Sequence, residues 1–332
     1  MLTNNILPSG FTVRATSMDD LKDVYAIISA CDIVRYGAVE PDYSIDDLRS
    51  DWQDPNHDMA TDNWVIVSAE GHIVGATGIW QREHVRMYTH PSILPAYWGL
   101  GIGRFLLRLA EERARQYIAQ APPRARITLN SGIDNVDQLR QQELVMEGFK
   151  LVRSSWRMEI DMLEPPPVPQ WPREITIRTF VRGQDEQAVF AAVDEAFIDH
   201  WGHLPGNFEG WKRRTVDAAD FKSDLWYLAY AGNEIAGVSL CEYMTTEMGW
   251  VDDLAVRRSW RRMGLGMALL RHSFGEFYHR GARKVALEVD SQNLTGATRL
   301  YERAGMHATR QYDIYEKELR TGEELSTQSL NI

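Results

Sequence analysis

The chain has 332 residues, of which 44% are hydrophobic, 10% aromatic and 25% charged, the composition of an ordinary folded protein. Its 36 basic and 47 acidic residues give a net charge of −11, which argues against broad nucleic-acid binding. Two cysteines exclude a disulfide framework, and no Cys/His spacing is typical of a zinc site. No signal peptide or membrane-spanning run is recognisable, so we expect a cytoplasmic protein without metal and of roughly two domains.

The first half of the chain predicts a strand at 11–15, a helical stretch, and two strands that turn at Gly71-His72. A glycine turn containing Gly101 and Gly103 then precedes a helix, and Gly148 follows a second helix. We predict that these elements form a first domain over residues 10–162.

A proline cluster follows at 163–173, where five prolines fall within eight positions. Proline removes backbone donors and favours extended geometry, so this segment is predicted to be a semi-rigid linker. The cluster consists of Pro165, Pro166, Pro167, Pro169 and Pro172.

The second half repeats the landmarks of the first in the same order, at offsets of 157 to 163 residues. We interpret the chain as a tandem duplication, with a second domain over 174–320. The matched pairs are Trp64 and Trp226, Gly75 and Gly237, Gly101 and Gly264, and Gly148 and Gly305.

Strands and helices of the second repeat do not alternate as in a Rossmann fold, so we predict an α/β fold with a mixed sheet. Its elements are a strand at 175–180, a helix ending near Phe197, two strands turning at Gly232-Asn233, a strand at 250–256, a helix at 264–280 stopped by Gly281, a strand at 285–289, a short helix at 295–304 and a last strand at 310–318.

Gly264 and Gly266 stand where the fourth strand meets a helix, a place that suits a pyrophosphate because free N–H groups and the helix dipole face it. This pattern alone is equally typical of an ordinary tight turn. A P-loop is excluded, and the loop follows the wrong strand for a dinucleotide fingerprint. Four arginines add positive charge: Arg257, Arg258, Arg261 and Arg262.

Downstream, Asn293 follows a strand, and Leu300 and Tyr301 lie on a short helix. Together with Arg261-x-x-Gly264-x-Gly266, this pattern resembles the GCN5-related N-acetyltransferase (GNAT) superfamily over residues 175–319. The resemblance implies two tandem GNAT domains and direct transfer of an acetyl group from acetyl-CoA to a primary amine of a small molecule.

The resemblance also implies roles for single residues. The main chain of Leu254, Ala255 and Val256 would hold the acetyl carbonyl and pantetheine, Asn293 would bond the pantetheine arm, and Tyr301 would act as the general acid. Tyr301 is alternatively a packing residue. The pyrophosphate would be wrapped by Arg261, Arg262, Met263, Gly264, Leu265, Gly266 and Met267.

The general base is left open between several carboxylates. Asp252 is the first candidate, with Asp253, Glu242 and Glu288 as alternatives, and an ion pair with a nearby arginine is the structural alternative. Strand alternation predicts opposite faces for Asp252 and Asp253. The acceptor segment carries aromatic side chains that suit a cationic or aromatic acceptor and equally suit packing: His200, Trp201, His203, Phe208 and Trp211.

The first repeat lacks part of this pattern. Trp98 takes the place of Arg261, Leu144 that of Tyr301, and Asn135 lies within one residue of the Asn293 position. Its fourth strand offers His84 and His90 and no matching carboxylate. We predict that this domain keeps the fold and has lost catalysis, and we leave open whether its glycine turn still holds CoA.

Such a pairing of a degenerate first copy with an active second copy is similar to the mycothiol synthase family. That resemblance implies acetylation of a cysteinyl amine as an alternative function, although Trp250 stands close to where that family has an acidic residue. A second alternative is a non-catalytic acyl-CoA-binding module. The pattern is compatible with a monomer or a homodimer.

Overall fold

The protein is described by a computed structural model that covers residues 7–41, 43–218, 221–293 and 296–328. Contacts between Cα atoms divide the described chain into two compact units. Unit 1 comprises residues up to 154 together with 312–325, and unit 2 comprises 155–311 together with the residues from 326 onwards.

Unit 1 is built on a mixed sheet with the strand order β1-β2-β3-β4-β6, in which β4 and β6 are parallel and the short β5 pairs with β3. Its elements are β1 (Phe11–Ala15), α1 (Leu21–Tyr36), α2 (Ile45–Trp52), α3 (Met59–Asp62), β2 (Asn63–Ser68), β3 (Ile73–Arg82), β4 (Arg86–Thr89), β5 (Ser92–Ile93), α4 (Ile102–Tyr117), β6 (Ile127–Asp134) and α5 (Gln138–Met146).

Unit 2 has the corresponding order β8-β9-β10-β11-β12, with β11 and β12 parallel. The elements of the second half are β7 (Lys150–Asp161), β8 (Ile175–Thr179), α6 (Glu186–Phe197), α7 (Phe208–Arg214), β9 (Trp226–Ala231), β10 (Glu234–Thr245), β11 (Met248–Val256), α8 (Leu265–His279), β12 (Lys284–Asp290), α9 (Ala297–Ala304) and β13 (His307–Arg320).

The last strand of each sequence repeat pairs with the sheet of the other repeat. Residues 155–161 of β7 pair antiparallel with β12 of unit 2, and residues 312–320 of β13 pair antiparallel with β6 of unit 1. The sequence placed 155–162 in the first domain and 310–320 in the second. The division by contacts therefore differs from the division by repeats, because each last strand closes the sheet of the other repeat.

The helices that follow the glycine turns pack on the sheets through their apolar faces. In α8, Leu269, Phe274 and Phe277 are at most 1% exposed. Gly249 on β11 makes room for the Phe277 ring, since a Cβ there would come within 3.0 Å of it. Gly281 has a φ of +98°, so α8 ends at the predicted glycine.

The predicted order of elements in the second repeat is confirmed from β8 to β13. The short helix was predicted from Thr295, which lies outside the described residues; α9 begins at Ala297. Among the residues that the structure describes, no helix has both the length and the apolar character needed to cross a membrane. The described side chains likewise form no group able to ligate a metal ion.

The exchange of strands makes a testable prediction about fragments. A fragment of residues 1–162 lacks the strand that pairs with β6, so we expect it to expose that edge and fail to give a cooperative thermal transition. A matched control joins residues 1–154 to 312–325 through a short glycine-serine linker and should fold. Circular dichroism and limited proteolysis measure both, and a stably folded 1–162 would contradict the prediction.

Candidate functional site

The parallel middle strands of unit 2 separate at one end. Within the described residues, β11 pairs with β12 only from Met248 opposite Lys284 to Trp250 opposite Ala286. Beyond Trp250, the stretch 251–256 keeps its pairing with β10. The main-chain groups of Leu254 and the Val256 N–H face away from β10 and border the gap between the separated strands, the cleft, where an extended ligand could pair with them. The expected contribution of the Ala255 main chain does not fit this register, because its N–H and carbonyl face β10, and the Val256 carbonyl accepts from Arg261.

A β-bulge lies at the start of this open stretch. Cys241 pairs with Val251 and Leu240 pairs with Asp253, so Asp252 is an extra residue without a partner in the register. The strict alternation that the sequence suggested for Asp252 and Asp253 is interrupted there. Bulges often redirect side chains beside functional sites.

The two carboxyl groups at the bulge influence each other. Burial and the charge of Asp252 raise the pKa of Asp253 to about 8. Asp252 is exposed at the cleft surface, yet protein surrounding its carboxyl group raises its pKa too, and a hydrogen bond from the Trp250 indole works against this shift. The pair therefore holds a proton near neutral pH, as a group that exchanges protons must.

Tyr301 on α9 faces the same carboxyl groups. Its side chain is 7% exposed, and its hydroxyl makes no hydrogen bond within the described parts of the chain. Burial, and then the charge of Asp253, raise the pKa of Tyr301, so the phenol keeps its proton at neutral pH. The Asp253 effect places these two groups within electrostatic reach of each other.

The helix α8 begins on Gly264, which adopts a left-handed conformation with a φ of +87° and no capping side chain. The first helical bond runs from the Ala268 N–H to the Gly264 carbonyl at 3.1 Å. The N–H groups of Leu265, Gly266 and Met267 precede it, and an α-helix leaves such groups without internal partners. This helix end is suited to an anion.

Three of the four arginines around the turn are committed to other groups. Arg261 donates to the Val256 carbonyl at 3.1 Å, to the Ala196 carbonyl at 2.9 Å and to Asp199 at 2.8 Å. Arg258 also pairs with Asp199, and Arg257 pairs with Glu195 at 2.6 Å. The Arg261 side chain thus fastens the turn to α6 instead of pointing to the helix end.

Arg262 is the exposed exception. It has a left-handed φ of +64° and forms no side-chain hydrogen bond or ion pair within the described residues. Met263 beside it is also exposed, at 56%. On the other side of the cleft, the Asn293 side-chain oxygen accepts the Ala297 N–H at 3.2 Å and so fixes the start of α9.

The aromatic side chains of the expected acceptor segment mostly pack against one another. Phe208 and Trp211 lie against Phe190, and Trp211 also lies 5.8 Å from Trp226 between ring centroids. Trp201 donates to Gln328 at 2.8 Å, and His203 lies 3.5 Å from Asp194. Burial lowers the pKa of His200, whose ring packs on Phe197.

The other candidates for the general base lie on β10 and β12. Glu288 on β12 is exposed and accepts a hydrogen bond from the Ser155 hydroxyl at 2.5 Å. Glu242 on β10 is exposed. Of these carboxylates, it is Asp253 whose charge contributes to the raised pKa of Tyr301.

Unit 1 repeats the turn with different side chains. Trp98 donates its indole N–H to the Ile93 carbonyl at 2.7 Å. Ile93 pairs with Gly75 as Val256 pairs with Gly237, so Trp98 takes over the bond that Arg261 makes. Leu144, in the place of Tyr301, is fully buried. His84 packs on Tyr117, and His90 follows Thr89 at the end of β4.

Hydrogen bonds identify the counterpart of Asn293 as Asp137, two residues after Asn135. The Asp137 N–H bonds the Asp134 carbonyl at 3.0 Å, just as the Asn293 N–H bonds the Asp290 carbonyl at 3.0 Å. The sequence landmarks missed this because the two loops differ in length before the helix begins. Asp199, which anchors two arginines while 5% exposed, was missed as well, since nothing in its local pattern marks it.

A mixed sheet whose parallel middle strands separate beside a helix that begins on a glycine turn is the architecture of the N-acetyltransferase fold. The model of the acetyltransferase (GNAT) family matches residues 21–127 and 186–306, more than half of the chain. The chain belongs to this family, and the expected tandem of two GNAT domains is confirmed.

Individual relatives support the same assignment. A GCN5-related N-acetyltransferase from Sphaerobacter thermophilus is 34% identical with a TM-score of 0.82, over 97% of this chain and all of that one. A tandem GNAT protein from the clavulanic acid biosynthesis pathway shares the fold, with a TM-score of 0.70 and 15% identity, over 94% of this chain and 100% of that one.

Among curated relatives, a mycothiol acetyltransferase from Thermobispora bispora is 32% identical over 164 residues. The match covers 48% of this chain and 55% of the relative, so the chain spans about half the length of that protein. The chain is therefore a tandem GNAT-family protein similar to the mycothiol acetyltransferases.

The raised pKa of Asp253 predicts a pH-dependent stability. Its folded pKa of about 8 lies above the value of about 3.9 for an unfolded aspartate, so the folded state binds the proton more tightly. The free energy of unfolding should fall as the pH rises from 4 to 8, and Asp253→Asn should remove this loss.

We therefore expect the urea midpoint of Asp253→Asn to exceed that of the wild type more at pH 8 than at pH 5. The exposed Asp19→Asn serves as the control and should follow the wild type at both values. An equal midpoint difference for Asp253→Asn at the two pH values would contradict the assignment.

Proposed function

We propose that unit 2 transfers the acetyl group of acetyl-CoA directly to a primary amine of a small acceptor. The observation that carries the proposal is the convergence of three features on one cleft: the open edge of β11, the free N-terminus of α8 and the protonated Tyr301. Unit 1 has a leucine in place of this tyrosine and is proposed to be inactive.

The described residues fit a CoA ester. The left-handed Gly264 has no atom within 4 Å of where a Cβ would lie, so its main chain can be approached closely. We propose that the N–H groups of 265–267 and the exposed Arg262 hold the diphosphate. The open edge at Leu254–Val256 and Asn293 would hold the pantetheine arm, and Arg261 would keep the turn in place.

When bound, acetyl-CoA would supply a thioester-activated acetyl group, and CoA would leave as the thiolate once the C–S bond breaks. Tyr301 Oη holds a proton at neutral pH, because burial and the Asp253 charge oppose its loss, and is proposed to donate it to the departing sulfur. The carboxyl pair at the bulge is proposed to remove the proton of the incoming amine. Asp252 remains the first candidate, since it is exposed to the cleft, and Asp253 then sets its proton affinity.

The acceptor is proposed to be cationic before it loses its proton. The net charge of −11 raises the local concentration of a cation. A mycothiol-synthase-like acceptor with a cysteinyl amine is the second candidate, favoured by the 32% identity to a mycothiol acetyltransferase. Turnover of a panel containing cysteinyl amines, polyamines and aminoglycosides, measured by thiol release, separates these classes.

A non-catalytic acyl-CoA-binding module is the opposing hypothesis. It shares the diphosphate and pantetheine contacts and requires no proton donor in the cleft. Acetyl-CoA binding by calorimetry without thiol release on any amine of the panel would favour it.

Replacement of the proposed acid tests the proposed mechanism. Tyr301→Phe keeps the packing and removes the proton, so kcat should fall about 100-fold or more while the Kd for acetyl-CoA stays within about twofold. Tyr278→Phe makes the same chemical change at a tyrosine that packs beside Arg283. It is the matched control and should leave kcat unchanged. Full activity of Tyr301→Phe would refute the acid role.

Blocking the helix end tests the cofactor site. Gly264→Val places a β-branched side chain at a left-handed residue over the proposed diphosphate, so the Kd for CoA should rise at least about tenfold. Gly232→Val, at the left-handed turn between β9 and β10, introduces comparable strain away from the cleft and should leave the Kd unchanged. An unaltered affinity in Gly264→Val, measured by isothermal titration, would refute the placement.

A further inference from the structure

Unit 1 contains a second helix end with the same main-chain geometry. Gly101 before α4 has a φ of +87° and a ψ of 0°, the values that Gly264 has before α8. The first helical bonds, from Phe105 to Gly101 and from Ala268 to Gly264, are both 3.1 Å long. Judged by the main chain alone, both helix ends are equally suited to an anion.

The side chains on these two helix ends differ in charge. Glu143 of α5 lies directly on the first turn of α4: a Cβ on Gly103 would come within 3.0 Å of its whole carboxyl group. The corresponding residue of α9 is Leu300, five residues before Gly305 as Glu143 is before Gly148. A Cβ on Gly266 would lie 3.4 Å from the Leu300 methyl, so the α8 end meets an apolar group.

Arg140 connects Glu143 to the edge of the sheet. Its guanidinium is buried, donates to Glu143 at 3.1 Å and donates to the Pro91 carbonyl at 2.7 Å. Pro91 takes the place of Leu254, because Ile93 and Val256 pair with equivalent glycines. One salt-bridged pair therefore runs from the strand edge to the helix end, along the line proposed for pantetheine and diphosphate in unit 2.

The neighbouring side chains leave little room. Asp137, the counterpart of Asn293, is ion-paired with Arg35 of α1. The cavity lined by Arg35, Asp137, Arg140 and Glu143 measures about 10 Å³, roughly the room needed by one water molecule.

We infer that Glu143 and Arg140 are a built-in substitute for the cofactor, so that unit 1 binds no acyl-CoA and each chain takes up a single one. The Glu143 carboxylate lies over the first turn of α4, where a diphosphate would otherwise lie, and Arg140 bonds the strand edge. This inference rests on the proposed function for the position of the site in unit 2.

Calorimetric titration of the full-length protein with CoA tests it. We expect one CoA per chain, a Kd at least about tenfold higher in Gly264→Val, and an unchanged Kd in Gly101→Val, because Gly101 has the same φ in unit 1. Two molecules per chain, or binding that survives in Gly264→Val and disappears in Gly101→Val, would overturn the inference. Absence of any binding by the wild type would overturn the proposed function instead.

A reciprocal exchange tests the role of the carboxylate itself. Leu300→Glu gives α8 the side chain that α4 carries, so the Kd for CoA should rise at least about tenfold above that of Leu300→Gln. The glutamine has the same shape without the charge and therefore controls for loss of packing, with melting temperatures confirming that both variants fold. Equal CoA affinities of the two variants would refute the inferred action of the charge.

Discussion

A helix that begins on a glycine in the left-handed conformation leaves its first N–H groups turned outward, with no side chain to cap them. Such groups cannot stay unsatisfied in a partly enclosed place without a considerable free-energy cost, so something must bond them. This requirement exists twice in the protein, at Gly101 and at Gly264, with the same torsion angles. In unit 1 the Glu143 carboxylate covers the first turn of the helix, whereas in unit 2 the apolar Leu300 lies there and the N–H groups are left to solvent or a ligand.

The same constraint explains how the arginines are used. A helix end that is to receive an anion from outside should not be neutralised by internal carboxylates, yet the turn before it must be held firmly. In unit 2, Asp199 gathers Arg258 and Arg261 at α6, away from the α8 end, and these guanidinium groups hold the pKa of Asp199 below its usual range. In unit 1 a neutral indole, Trp98, makes the bond to the strand carbonyl. Charge at this position is thus not required to hold the turn.

Much of the fold could be predicted from the sequence. The glycine turns and the hydrophobic periodicity are local patterns, and the same landmarks occur in both repeats. The position of Tyr301 opposite the open strand also followed from ordered motifs. The bulge at Asp252 could not be predicted, since it depends on the register with β10, which strand alternation does not take into account. The direction of Arg261 depends on a carboxylate 62 positions earlier in the chain. The pairing of Glu143 with the turn at Gly103 depends on how α4 packs on α5, which no motif records.

The exchanged strands have a consequence for the order in which the protein can be completed during synthesis. The sheet of unit 1 is closed by residues 312–320, which are synthesised long after residue 154. At a synthesis rate of about 5–20 residues per second, unit 1 waits roughly 10 to 30 s after residue 154 for this strand. During that interval β6 keeps an unpaired edge, a template for pairing with other chains. The edge of β6 is therefore exposed during synthesis for longer than it would be if each repeat closed its own sheet.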